Sequence, residues 1–234
     1  MTRLFLSALA AALISAAPAQ AADRTYAVGS FDHVRVDGPF EVHVDTGGSP
    51  GARASGSAEL LDRLDITVND TTLIVRLGNG GWGETPKRAG AAPPVVTLST
   101  PRLTAIAASA GARVSVAKMA AQRLDLSLVG AGTLAVDGAA ADEIRASQFG
   151  TGSMRLAGRA ARVRLSGTGA GSIDAGALIA SDLVVRLDGN GDIRANALHT
   201  AQVTSTALGQ VTVLGPAKCT IRAIADGPVR CGGQ

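Results

Sequence analysis

Aromatic residues and clustered charge are both scarce in this sequence. Aromatic residues make up 3% of the 234 residues, with one tryptophan, Trp82, and one tyrosine, Tyr26. Sites that cleave sugars commonly use aromatic rings as platforms, so this scarcity argues against a sugar-cleaving enzyme. The 22 Lys and Arg nearly balance the 19 Asp and Glu, and the basic residues are scattered. A phosphate backbone is bound by clustered cations, so nucleic-acid binding is not expected.

Long apolar runs are missing after the first 21 residues. The run at residues 4–17 is about 14 residues long, shorter than the roughly 20 that a membrane-spanning helix needs. It follows one arginine and precedes Ala19 and Ala21, which is the pattern of a secretory signal peptide. We predict a signal peptide over residues 1–21, with a retained anchor as the alternative. No cysteine follows the run, so a lipoprotein anchor is not expected. The mature chain is therefore predicted to be exported to the periplasm or cell surface of a Gram-negative-type bacterium, without an integral membrane span.

Cysteine is limited to Cys219 and Cys231. In an oxidising compartment such a pair is expected to form a disulfide. The closed loop of about 13 residues would stabilise the fold by roughly 3 kcal/mol. The alternative is two small, unbonded core residues.

The second half of the sequence repeats with a period of about 20 residues, which is typical of stacked units that cannot bury an apolar face alone. Five copies begin at Leu124, Ile144, Val163, Leu183 and Val203. Four of them carry a glycine pair, at Gly130/Gly132, Gly150/Gly152, Gly169/Gly171 and Gly189/Gly191. A degenerate copy with Ala110 and Ala112 at the glycine positions precedes them, and a partial copy begins at Ile221.

Strands, rather than helices, are predicted to form these units. Apolar residues alternate within a copy, as in Leu124, Leu126 and Leu128, which is the two-residue period of a strand. Glycine weakens a helix by about 1 kcal/mol relative to alanine, whereas it accepts a positive φ at a corner between strands. The sequence therefore predicts an all-β parallel β-helix, a solenoid with rungs of ~20 residues that pair in register at about 4.8 Å.

Two columns of residues are predicted to point into the core of this solenoid. The first position of each copy contributes Leu124, Ile144, Val163, Leu183, Val203 and Ile221. The eleventh position contributes Val114, Leu134, Met154, Ile173, Ile193, Val213 and Cys231. The charged residues Asp125, Arg145 and Arg164 fall on the other face of the strands and are expected to be solvated.

Residues 22–98 lack the glycine rhythm of the repeat region, residues 99–234. Alternating apolar residues predict strands near residues 34–36, 40–44, 64–68 and 73–77. The region is predicted to form either irregular rungs or a cap over the open N-terminal edge of the solenoid. A loop rich in Gly and Pro, residues 78–94, connects it to the repeats.

Four segments together resemble a known family. They are FDHVRVDGPFEVHVD (31–45), LLDRLDITVNDTTLIVRL (60–77), STPRLTAIAASAGARVSV (99–116) and GNGDI (189–193). From Tyr26 to about Val229 the chain resembles the auto-transporter adhesin head domain, the GIN domain. The resemblance implies a right-handed β-helix on the cell surface or in the periplasm, with a proposed role in adhesion and no catalytic residues. The alanines of the first rung and the cysteine pair depart from the family pattern.

Carboxylate pairs that could cleave a polysaccharide are not evident. The aspartates considered fall in different columns, none with a second carboxylate in the next rung: Asp125, Asp137, Asp174, Asp188 and Asp192. Residues 47–51 match the letters of a nucleophile elbow, but Pro50 lacks the backbone N–H that should follow the serine. No catalytic residue and no cofactor is therefore predicted.

One segment has oxygen ligands at alternate positions, Asp188, Asn190 and Asp192. This is the spacing of a calcium loop, and it is equally the spacing of a polar turn in which one copy carries Asp where others carry Ser or Thr. Ion binding there stays open. No zinc site is predicted from the three histidines, which are far apart in sequence at His33, His43 and His199.

Two functions remain in view. The first is a non-enzymatic, adhesin-like or envelope-associated scaffold that binds an envelope protein or glycan. The second is a carbohydrate-active β-helix enzyme, a lyase or hydrolase, with an unrecognised site. An outward groove of acidic and aromatic residues would favour the enzyme, and a flat Ser/Thr/Ala face would favour the scaffold. Trp82 is a possible interface anchor, or it covers the end of the solenoid.

Overall fold

The computed structural model describes residues 22–78, 93–224 and 227–233. The predicted signal peptide and Trp82, with most of the predicted loop 78–94, lie outside these residues. The helix α1 (Ala58–Arg63) has six residues, and the described ranges contain no helix that could cross a membrane. Its N-terminus is capped by the Ser57 side chain, which accepts a hydrogen bond from the backbone N–H of Leu60.

Seventeen strands in the described ranges form one continuous sheet. Before the repeat region these are β1 (Ala22–Tyr26), β2 (His33–Asp37), β3 (Glu41–Thr46), β4 (Gly51–Gly56), β5 (Leu64–Asn69), β6 (Thr72–Leu77) and β7 (Val95–Thr100). In the repeat region they are β8 (Ala105–Ser109), β9 (Arg113–Val116), β10 (Met119–Gly130), β11 (Thr133–Gly150), β12 (Ser153–Gly169), β13 (Ser172–Asp188), β14 (Asp192–Ser205), β15 (Gln210–Leu214), β16 (Lys218–Ala223) and β17 (Val229–Gly233).

The strands of the repeat region stack in parallel, one coil upon the next. Leu124 of β10 lies opposite Ile144 of β11, and Ile144 lies opposite Val163 of β12. Each coil has three pairing runs, which in β11 are residues 133–136, 139–141 and 143–150. The coils form a β-solenoid of about 6 turns, and the predicted parallel β-helix is confirmed.

The coil that begins at Leu183 is two residues shorter than predicted, so the predicted register is wrong from that coil onward. Val203 lies opposite Val185, and Ile221 lies opposite Val203. The first column instead runs through Leu124, Ile144, Val163, Leu183, Ala201 and Cys219. The eleventh-position column runs through Val114, Leu134, Met154, Ile173, Ile193, Val211 and Val229. The error is a shift of two residues, which keeps every side chain on the same face of its strand.

The two glycines of each pair differ in backbone conformation, and in the later pairs both lie close to the previous coil. The first glycine has the positive φ that was predicted, from +94° at Gly130 to +143° at Gly189. The second lies against the previous coil: a Cβ added to Gly191 would be 2.0 Å from the carbonyl oxygen of Gly171. A larger residue there would separate the two coils.

The two ends of the solenoid differ. At the N-terminal end β5 pairs antiparallel with β6, and β4 pairs antiparallel with both β1 and β7. At the C-terminal end β16 and β17 each pair along one edge among the described strands. Ile221, which was predicted to lie in the core, is therefore 45% exposed. Cys219 and Cys231 join these two strands, with their sulfur atoms at disulfide distance and their Cα atoms 6.5 Å apart.

Candidate functional site

A shallow groove follows the outer face of the longest pairing run, the one that contains residues 143–150. Its volume is about 860 Å³, and it crosses β6, β2, β8, β10, β11, β12 and β13. Seven strands spaced at about 4.8 Å span roughly 29 Å. A second depression of about 300 Å³ continues the same face across β14 and β16. We call the larger depression, between Arg35 and Arg186, the basic groove.

The floor of the basic groove is a column of small side chains. Ala107, Ser127, Ser147 and Ser166 lie opposite one another on consecutive strands: β8, β10, β11 and β12. Arg35 on β2 and Arg186 on β13 occupy the same column at its two ends. This is the flat Ser/Ala face that favours a binding surface over a cleavage site.

A buried carboxylate at the edge of the groove organises three arginines. Glu143 accepts hydrogen bonds at Oε1 from Arg145 Nε, at 3.0 Å, and from Arg164 Nη1. Its Oε2 accepts one from Arg123 Nη2 at 3.3 Å. The Glu143 side chain is 9% exposed, whereas those of Arg145 and Arg164 are each 49% exposed. A guanidinium has five N–H donors, so Arg145 and Arg164 both keep donors that face solvent.

We expect Glu143→Gln to lower the free energy of unfolding by about 1 to 2 kcal/mol. A hydrogen bond to a charged group is worth about 1.5 to 3 kcal/mol, and partial exposure of the arginines reduces this value. Urea unfolding monitored by circular dichroism measures the change. Asp142→Asn is the matched control because it removes the same charge from the exposed neighbouring residue. Equal effects of the two variants would show that Glu143 does not hold the arginines.

At the other end of the groove His33 lies beside a carboxylate. His33 Nδ1 is 2.6 Å from Asp32 Oδ1. Desolvation raises the pKa of Asp32, but hydrogen bonds from Thr71 and His33 outweigh it and hold the pKa below its ordinary value. The interaction therefore stabilises the fold above the ordinary aspartate pKa, and this contribution is lost as the pH falls through the lowered value.

The other candidate residues do not assemble into a site. Among the described residues no group of three or more His, Cys, Asp and Glu is placed to hold a metal ion. Asp188 accepts a hydrogen bond from Thr206 Oγ1 at 2.9 Å, and Asp188, Asn190 and Asp192 are exposed around a turn. His43 on β3 contacts Ser115 and Glu41, and β3 stacks with β7 and β9 rather than with the strands that line the groove.

The strand register places residues other than carboxylates opposite Asp125, Asp174, Asp188 and Asp192. Asp125 lies between Ala105 and Arg145 on the neighbouring strands. Asp174 lies between Arg155 and Arg194. These registers agree with the sequence prediction that no second carboxylate is stacked on these aspartates. Hydrolysis of a glycosidic bond needs such a pair of carboxyl groups.

Sequence reasoning placed Arg145 and Arg164 outside but did not identify Glu143 or Phe149. Phe149 is 62% exposed on the same strand face as Arg145 and Ser147, and Val129 lies opposite it on β10. The period could have revealed Glu143, because Arg123, one coil earlier, lies opposite it.

Residues 30–217 match the family model described as "Putative auto-transporter adhesin, head GIN domain". Three solved structures share the fold. A "putative adhesin" from Bacteroides fragilis aligns with a TM-score of 0.80 and 19% identity, covering 91% of this chain and 97% of its own. A second "putative adhesin", from Parabacteroides distasonis, aligns with a TM-score of 0.74 and 20% identity, covering 92% of this chain and 98% of its own. A "putative lipid binding protein" from Parabacteroides distasonis aligns with a TM-score of 0.71 and 13% identity, covering 92% of this chain and 97% of its own. No protein of curated function matches the chain.

Proposed function

The chain belongs to the auto-transporter adhesin head GIN domain family, and we propose that it is an exported, non-enzymatic binding domain that holds an envelope component in its basic groove. The observation that carries this proposal is the groove itself, which follows seven strands. Its floor of alanine and serine is flat, and its arginines stand above that floor as binding groups. Parallel stacking in register holds these groups at fixed spacing.

The arrangement of carboxylates disfavours the enzyme alternative. Among the described residues that line the groove, Asp125 is the one carboxylate. Glu143, at the border of the groove, forms ion pairs with three arginines, so both of its oxygens already accept hydrogen bonds. A glycosidase needs two carboxyl groups on either side of the scissile bond.

Export is supported by three features. The first 21 residues have the layout of a signal peptide. The cysteine pair lies at disulfide distance, which suits an oxidising compartment. The family is described as an adhesin head, which acts outside the cytoplasm. Trp82 stays a candidate for a second contact with the bound partner.

The test is a variant that fills the groove without changing its charge. We expect Ser147→Tyr to reduce adherence of fluorescently labelled protein to intact Gram-negative cells at least tenfold, because the ring covers the middle of the floor. Tyrosine is well tolerated on an exposed strand face. Ser153→Tyr is the matched control, since Ser153 is exposed on a different pairing run.

Equal adherence of both variants would contradict a role for the groove. Release of new reducing ends or unsaturated sugars from polysaccharides incubated with the unmodified protein would contradict the non-enzymatic proposal and favour the carbohydrate-active alternative.

A further inference from the structure

The basic groove carries positive charge that the described residues leave unbalanced. Five arginines and two carboxylates lie in it or at its border: Arg35, Arg123, Arg145, Arg164 and Arg186, with Asp125 and Glu143. Among the described residues, Arg35 and Arg186 have no ion-pair partner. The groove therefore attracts an anionic ligand.

One strand presents three different binding groups in a line. Arg145, Ser147 and Phe149 alternate along the outer face of β11, so each is about 6.6 Å from the next. A guanidinium binds a carboxylate through two parallel hydrogen bonds. A hydroxyl both donates and accepts hydrogen bonds, and an aromatic face packs on apolar C–H groups.

The apolar side chain of Phe149 is exposed, whereas the polar side chain next to it is buried in the core. Its neighbour Gln148 takes the inward position, is 2% exposed, and has an Nε2 without a hydrogen-bond partner in the described structure. A buried amide group without a partner destabilises the fold. Departures of this kind from ordinary patterning occur mainly at functional sites, which indicates that the exposed ring contacts a ligand.

We infer that the ligand is an extended acidic polysaccharide whose carboxylates recur along its length, an inference that rests on the proposed function. The groove repeats a row of arginine and serine on β11 and β12, and Arg35 and Arg186 continue the serine column at its two ends, as a polymer repeats its sugars. The hydroxyl groups of the serines suit sugar hydroxyls, and Phe149 suits the apolar face of a sugar ring. The small side chains of the floor do not enclose an acyl chain, so a lipid is the poorer fit.

Polygalacturonate oligomers are a suitable probe, with the same oligomers fully methyl-esterified as the uncharged match. Calorimetric titration at low ionic strength is expected to show binding of the acid form, weakening as salt is added, and at least tenfold weaker binding of the ester. Arg35→Gln/Arg186→Gln is expected to weaken binding at least tenfold with an unchanged melting temperature, because neither side chain has an ion-pair partner to lose. Phe149→Ala is expected to weaken it several-fold without changing the salt dependence.

The matched control is Arg113→Gln/Arg155→Gln, which removes the same charge from exposed positions on another pairing run. Equal binding of ester and acid, or equal loss in both double variants, would overturn the inference. Competition by single-stranded DNA as strong as that by polygalacturonate would also overturn it, because the groove would then select charge alone. If no oligomer binds while Ser147→Tyr still abolishes adherence to cells, the inference fails and the proposed function stands.

Discussion

Replacing Gly189 with alanine is expected to lower the free energy of unfolding by about 2 to 5 kcal/mol. Gly189 has a φ of +143°, which strains any residue with a side chain. An added Cβ would lie 2.2 Å from the carbonyl oxygen of Gly169 on the preceding coil. Backbone atoms cannot move aside without breaking the register of two coils. Thermal unfolding followed by circular dichroism should show a fall in Tm of roughly 10 °C.

The control for this variant is Gly29→Ala. An added Cβ at Gly29 meets no atom within 4 Å, and the residue lies outside the strands. Its effect should stay within about 0.5 kcal/mol. If both substitutions left Tm unchanged, the close stacking of the coils at the glycine pairs would be wrong.

Removing the Cys219–Cys231 bond is expected to destabilise the last coil by about 3 kcal/mol, the value for a closed loop of this length. Among the described strands, β16 and β17 are each paired along one edge, so the bond ties together two strands that are supported on one side. In Cys219→Ser/Cys231→Ser, hydrogen exchange should accelerate in β15 to β17 and stay slow in β10 to β12, because each coil contacts only its neighbours.

Reduction of the unmodified protein with dithiothreitol should reproduce this pattern, and the same reagent should leave the double variant unchanged. Two reactive thiols in the unfolded, unreduced protein would show that the cysteines are free. The effect expected for the double variant would then have to come from packing alone.

The inward and outward sides of the strands were predictable, whereas the register of the last coils was not. Alternation fixes the face on which a residue such as Val203 lies, and Val203 is buried. A coil shortened by two residues preserves alternation, so the apolar pattern alone does not reveal that Val203 lies opposite Val185.

The candidate site was predictable only in part. The period places Arg145 and Arg164 in one outward column, as found. The approach of both to Glu143 depends on the rotamers of long side chains, which sequence spacing does not determine. A phenylalanine is expected to be buried and a glutamine exposed. The structure reverses this for Phe149 and Gln148, which residue type alone does not predict.

A solenoid can be lengthened by adding whole coils, and this affects the range of ligands that the architecture can accept. Since a coil touches only the one before and the one after it, duplicating a stretch of one repeat would leave the cross-section intact. Each such addition would extend the binding surface by one strand spacing, about 4.8 Å, and supply another pair of outward residues. Evolution can thus adjust the length of recognised polymer through coil number and its charge through two positions in each coil, independently of one another.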